Sequence, residues 1–139
     1  MKSPFNNVDL RWEPQLSYLL AGIDVCDRGE GVREKIRRYN PNFRQDRSEV
    51  IEKIILPDLD YLSYRHRFAL HKLLERTLAD SEFEFSTLFE ADYDEYSAVA
   101  WDETEIEDPR GFFEDIFRMS AEKWKDDLQK AGLEDQSTW

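Results

Sequence analysis

Apolar positions recur along most of this chain at intervals of three and four residues, the spacing that gathers them on one side of an α-helix. Pro14 stands where a first-turn proline belongs, Leu16, Leu19 and Leu20 share a face, and Gly22 supplies a stop. A short first helix is expected there. Gly31 to Tyr39 is charged and amphipathic, with Val32 and Ile36 four apart, and Asn40-Pro41 closes it because the residue before proline avoids the α region. Asp46 or Ser48 then caps a helix through Val50, Ile51, Ile54 and Ile55 that ends at Pro57. From Leu59 to Ala79, Leu62, Ala69, Leu70, Leu73, Leu74 and Leu78 keep helical spacing with no Gly or Pro, which predicts the longest helix. Pro109 opens a final helix with Phe112, Phe113, Ile116, Phe117, Trp124 and Leu128 as its apolar stripe, and Gly132 ends it with Lys130 in the last turn.

The stretch from Ser81 to Glu105 supports two readings. Glu82-Phe83-Glu84-Phe85 alternates like a strand, whereas Phe85, Leu88, Phe89, Tyr96 and Val99 suit a helix with Ser81 and Glu84 as its capping box. Helix is preferred, with a short hairpin or loop around 81–105 as the alternative. The expected fold is therefore mainly α: one domain, 1–139, built as an irregular bundle of five to six helices.

Composition agrees with a folded domain. Nine Phe, six Tyr and four Trp among 139 residues are too many large apolar groups for a disordered chain, despite a net charge of −12 and 36% charged residues. The longest apolar run, Leu19 to Ile23, is far short of the roughly 20 residues needed to span a bilayer, and no apolar signal core follows Lys2. Cys26 has no second cysteine with which to form an internal disulfide. A cytoplasmic protein without a membrane partner is expected.

Charge is distributed unevenly. Residues 1–76 carry a net +2 and residues 110–139 a net −2. Between Thr77 and Pro109 there is no Lys, Arg or His, yet there are 12 acids, so one quarter of the chain holds the whole net charge. Concentrated like charge raises the energy of the compact state by self-repulsion. Two structural explanations apply: a solvated acidic face, or pairing with the chain's own cations, either Arg65, Arg67, Lys72 and Arg76 or Arg33, Lys35, Arg37 and Arg38.

A functional explanation starts from the aromatics among the acids, Phe89, Tyr93, Tyr96 and Trp101. Exposed rings supply anchoring area at low entropy cost, and carboxylates steer encounter and pair with Arg. Phe89 and Trp101 are expected in the core and the tyrosines at the surface. The candidate partner-binding residues are Glu90, Asp92, Tyr93, Asp94, Glu95, Tyr96, Asp102, Glu103 and Glu105. A partner with a strongly basic cleft is most naturally a protein that acts on nucleic acid, because such clefts neutralise phosphates. In its acidity, small size and strip Asp92-Tyr93-Asp94-Glu95-Tyr96, the chain resembles the immunity proteins that bacteria make against nuclease toxins of the bacteriocin and contact-dependent growth inhibition kinds. That resemblance implies a tight one-to-one complex with a cognate basic toxin domain, inhibited by occluding its active site or by binding beside it. A DNA-mimicking regulator of a nucleic-acid enzyme is the nearest alternative.

Enzymatic readings find less in the sequence. His66 and His71 are five apart and stand about 140° from one another on a helix, so they do not share a metal ion. His71 and Glu75, four apart, suit a helical ion pair better than a general-base dyad. Asp92, Asp94 and Glu103 fall at the first, third and twelfth positions of a calcium loop, but Tyr96 and Ser97 occupy its fifth and sixth. There is no GxSxG, CxxC, HExxH or glycine-rich phosphate loop. No enzyme, cofactor or metal is expected; a carboxylate-based metal-dependent enzyme is the remaining alternative. Direct nucleic-acid binding is disfavoured, because Glu30, Glu34, Asp46 and Glu49 are interspersed among Arg33, Lys35, Arg37, Arg38, Arg44 and Arg47.

Overall fold

The computed structural model describes residues 1–26, 28–92 and 98–139. The fold is mainly α, an irregular bundle, with isolated antiparallel bridges that include Lys2 with Arg11 and Asp24 with Val99. A 3-10 helix over Leu16–Ile23 precedes α1 (Glu30–Arg37) and α2 (Arg44–Val50). A π-helical turn, Ile51–Ile55, carries α2 into the single turn α3 (Leu56–Asp58). Then follow α4 (Tyr64–Ala79), a 3-10 turn at Phe85–Phe89, α5 (Pro109–Lys123), α6 (Lys125–Gly132) and a last 3-10 turn at Gln136–Thr138.

The core forms where α4, α5 and the π turn meet, and Ile51, Ile55, Leu70, Phe89, Phe112, Phe113 and Ile116 have no exposed surface there. The first helix is 3-10 and not α, Pro14 lies ahead of it, and Gly22 lies inside it and does not stop it. Packing explains the glycine. A Cβ at Gly22 would come 2.9 Å from the Ile54 carbonyl oxygen and 3.0 Å from the Asp58 Cβ, so its absence lets this helix sit directly on the turn carrying Ile51–Ile55.

Other expectations shift for local reasons. α1 buries Ile36 but leaves Val32 exposed, so its apolar face is narrower than the spacing suggested. Asp46 does not cap α2, because its carboxylate accepts from the Asn40 amide (2.8 Å). Pro57 does not end the helix either. A proline ring clashes with the carbonyl four residues back in a regular α-helix, and the widened π turn in front of Pro57 carries the chain past it. α4 starts at Tyr64, five residues later than the apolar spacing implied, because Ser63 accepts the His66 amide as its N-cap. Buried Leu59 and Leu62 lie in the preceding turn. The last helix is broken at Trp124, whose backbone leaves helical geometry (φ −99°, ψ 16°) while its ring packs inside.

The stretch 81–105 is not the preferred long helix. Its described part holds the Phe85–Phe89 turn, where Phe85 and Phe89 both go to the core, and isolated bridge residues such as Val99, but no α-helix. The Ser81/Glu84 capping box is not made, since the Asp80 carboxylate takes the Glu82 amide (3.0 Å) and Glu84 gives no side-chain cap. At the other end of the chain, Met1 to Trp12 folds back on itself through Ser3 N to Leu10 O (2.9 Å) and Trp12 N to Met1 O (2.8 Å), with Asn7 in the left-handed region (φ 67°). His66 fastens this arm. A carbonyl only accepts, so Nε2–H donates to the Lys2 carbonyl (2.6 Å) and Nδ1 accepts from the Ser63 hydroxyl (2.5 Å).

Gly22→Ala should destabilise the fold by about 1–3 kcal/mol, because the added methyl has a backbone carbonyl in its way. Urea unfolding monitored by far-ultraviolet circular dichroism checks this, and a neutral result would mean that the two elements separate easily.

Candidate functional site

The acid-rich segment is held from inside by aromatic rings and from its two ends by arginines. Phe85 packs on Phe113 (ring centroids 5.0 Å apart), and Phe89 meets Phe112 and Phe113 edge-on at 5.6 and 5.9 Å. Arg110, in the first turn of α5, donates to three carbonyls of the segment: Leu78 (3.1 Å), Asp80 (2.9 Å) and Phe83 (3.0 Å). Its guanidinium lies over the Phe85 ring at 4.8 Å. At the far end, Arg37 of α1 donates to the Ala100 carbonyl (2.6 Å) and pairs with both carboxylate oxygens of Glu105 (3.2 and 2.8 Å). Asn42 adds a second grip there, donating to the Glu105 carbonyl and accepting from the Glu107 amide, each at 2.9 Å.

Between these anchors, Val25 N donates to Ala98 O (2.8 Å) and Ala100 N to Ile23 O (2.9 Å), which ties the segment to the end of the first 3-10 helix. Trp101 and Ile106 are buried beside this junction. Asp102 turns the chain between them: its carboxylate accepts from the Thr104 amide (2.9 Å) and hydroxyl (2.5 Å), and these hydrogen bonds hold its pKa below the usual range. Asp108 closes the segment as the N-cap of α5, accepting from Gly111 N at 2.9 Å.

With the backbone held in this way, most described carboxylates face solvent. Asp80, Glu82, Glu84, Glu90, Asp92, Asp102, Glu103, Glu107 and Asp108 are all exposed. Of the residues chosen from sequence, Glu90, Asp92, Asp102 and Glu103 therefore lie on the surface, while Glu105 is half-buried and engaged by Arg37. Tyr93, Asp94, Glu95 and Tyr96 lie outside the described residues. Phe89 and Trp101 are core, as expected. The proposed self-pairing is realised at Glu105. The cations of α4 turn elsewhere: Arg65 to Glu134 (2.8 Å), Arg67 to Asp127 (2.6 Å) and Lys72 to Glu75 (3.3 Å).

A hollow of about 340 Å³ opens beside the segment, with Val25, Phe89 and Ala98 below and Arg33, Arg37 and Asp102 around it; half-buried Cys26 also lines it. Arg37 belongs to one of the two cation groups expected to pair with the acids, whereas Arg110 was not expected to anchor the segment. The available signal was that a cation-free stretch is immediately followed by Arg110, but the pairing of Arg37 with Glu105 spans 68 positions and no local pattern announces it.

The two histidines serve separate structures, His66 the N-terminal arm and His71 the α4–α5 contact, where its Nε2 faces the Phe117 carbonyl at 3.4 Å. His71 does not pair with Glu75, which goes to Lys72. Burial lowers the His71 pKa, the Phe117 carbonyl and Glu75 raise it, and Lys72 lowers it, for a net downward shift. Among the described residues no three His, Cys, Asp or Glu side chains converge in a way that would hold a metal ion, and no helix is long and apolar enough to cross a membrane. No protein-family model, curated protein or solved structure matches the chain.

Two outcomes follow from the geometry. Arg110→Ala should cost about 2–3 kcal/mol, as expected for a charged donor removed from several carbonyls, whereas Glu103→Gln and Glu90→Gln should change stability by no more than about 0.5 kcal/mol in urea unfolding. For His71, the folded pKa lies below the unfolded value of about 6.5, so the unfolded chain binds the proton more readily. Stability should fall as pH drops through about 6.5 toward the folded pKa, and His71→Phe should flatten that part of the stability–pH profile.

Proposed function

We propose that this chain is a protein-binding inhibitor of the immunity type, which neutralises a cognate toxin acting on nucleic acid by docking its acid-rich segment against the toxin's basic cleft. The observation that carries this reading is the division of roles in the segment. Its backbone is bonded by Arg37 and Arg110, while Glu90, Asp92, Asp102 and Glu103 are left on the surface. A surface held in place before binding has less conformational entropy to lose on association. Its carboxylates raise the encounter rate with a cationic partner and select against anionic ones. A cleft built to neutralise phosphates is the surface that such an array complements.

In this reading Tyr93, Asp94, Glu95 and Tyr96 belong to the same docking surface as their described neighbours, and the protein acts without catalysis, cofactor or contact with nucleic acid. The combined variant Glu90→Gln, Asp92→Asn, Asp102→Asn, Glu103→Gln should fold normally. It should bind the nuclease domain of a toxin encoded beside this gene with an association rate lower by about tenfold or more at low salt, and with a flatter salt dependence. Stopped-flow fluorescence measures both. An unchanged rate at low salt would contradict the proposal, and tight binding to many unrelated basic proteins would favour the DNA-mimicking reading.

A further inference from the structure

The folded-back N-terminal arm has two edges, and the molecule treats them differently. Lys2 and Arg11 form an antiparallel bridge, flanked by the hydrogen bonds Ser3 N to Leu10 O (2.9 Å) and Trp12 N to Met1 O (2.8 Å). In a pair flanked in this way the backbone groups of the two central residues point away from one another. On the inner edge, the outward-turned Lys2 carbonyl is taken by His66 Nε2 (2.6 Å). The outer edge has no such partner. Leu10 turns its carbonyl inward to Ser3, so the alternation of an extended chain turns the backbone groups of Asp9 and Arg11 outward. Among the described residues, those amides and carbonyls bond to no group of the chain. Asp9, Leu10 and Arg11 are all exposed, Leu10 at 68%.

A free edge is a template for another extended chain, and the side chains along it decide which chain is accepted. Asp9-Leu10-Arg11 is its own antiparallel complement. A two-fold axis beside Leu10 sets this leucine against the Leu10 of a second copy, Asp9 against the copy's Arg11, and Arg11 against the copy's Asp9. All the outward backbone groups are then used: each Arg11 amide donates to the opposite Asp9 carbonyl, and each Asp9 amide to the opposite Arg11 carbonyl. The leucines fall in the non-hydrogen-bonded position, where side chains across a pair come closest. Charge selects this register. A shift of two residues would set Asp9 against Asp9 or Arg11 against Arg11, and parallel alignment would do both, whereas opposite charges across a pair attract. Arg11 already meets Glu13 (3.0 Å), but that ion pair is exposed and its exchange costs little.

We propose that this edge joins two copies of the chain in a two-fold dimer through antiparallel pairing of residues 9–11. The copies meet through the part of the chain whose charge is nearly balanced, residues 1–76 at net +2, and not through the segment that holds the net −12. So short a contact lies at the small end of specific interfaces, and the dimer is weak, with a Kd on the order of 100 µM.

The test is sedimentation equilibrium of the full chain up to about 1 mM, roughly ten times that Kd, with amide hydrogen exchange measured in dilute and concentrated solution. The chain should pass from monomer to dimer, and the Asp9 and Arg11 amides should exchange about fivefold more slowly in the concentrated sample. Arg11→Asp, which sets like charges against one another at both ends of the contact, should raise the Kd by about tenfold or more. Adding Asp9→Arg to it restores opposite charges and should restore the dimer. Both variants change exposed side chains, and an unchanged far-ultraviolet circular dichroism spectrum verifies their fold. A monomer at every concentration would overturn the proposal and leave the edge to an extended segment of another protein. A dimer that Arg11→Asp leaves intact would overturn it too, as would a normally folded double variant that stays monomeric.

Discussion

Guanidinium groups that bond to carbonyls, in place of a paired carboxylate for every cation, organise the acid-rich quarter of this molecule. A stretch with 12 acids and no cation repels itself and has no means of its own to stay compact. Arg110 and Arg37 enter from α5 and α1 and spend their donors on the carbonyls of Leu78, Asp80, Phe83 and Ala100, with Glu105 the carboxylate drawn into the contact. Attraction is thus delivered to the backbone while the other described negative side chains of the segment stay at the surface. Phe85 and Phe89 complete the attachment by reaching the α5 aromatics, so the segment is part of the core on one side and an anionic surface on the other.

The legible parts of the fold were those where one apolar period runs long enough to average out local exceptions. α4 and α5 are of this kind, and Ser63 and Asp108 cap them by short-range hydrogen bonds. The first helix illustrates the limit. Over eight residues, repeats of 3.0 and 3.6 both keep Leu16 and Leu19 on one face, so the leucine spacing alone does not distinguish a 3-10 helix from an α-helix, and the close approach of Gly22 to Ile54 is a tertiary contact that the spacing does not announce. Pro57 and Trp124 mislead in opposite directions: a helix passes a proline by widening a turn, and a helix breaks at a residue that continues the apolar stripe. Tertiary packing decides both.

The candidate surface was legible as composition and not as geometry. A cation-free run of acids can be read directly from the chain, and so can the split between core rings and surface acids, as Phe89 and Trp101 show. Which acid would be drawn inward was not legible, because the choice of Glu105 depends on Arg37 and Asn42, more than sixty positions away.

Amide hydrogen exchange across the segment tests the central claim most directly, because it reports whether this acidic stretch is held by its backbone. The account predicts that the amides of Ala100, Glu105 and Glu107, bonded to the Ile23 carbonyl, the Asp102 carbonyl and the Asn42 side chain, exchange slowly, at rates approaching those of α5. Exchange of these amides at the rate of an unstructured chain, with α5 still protected, would contradict it.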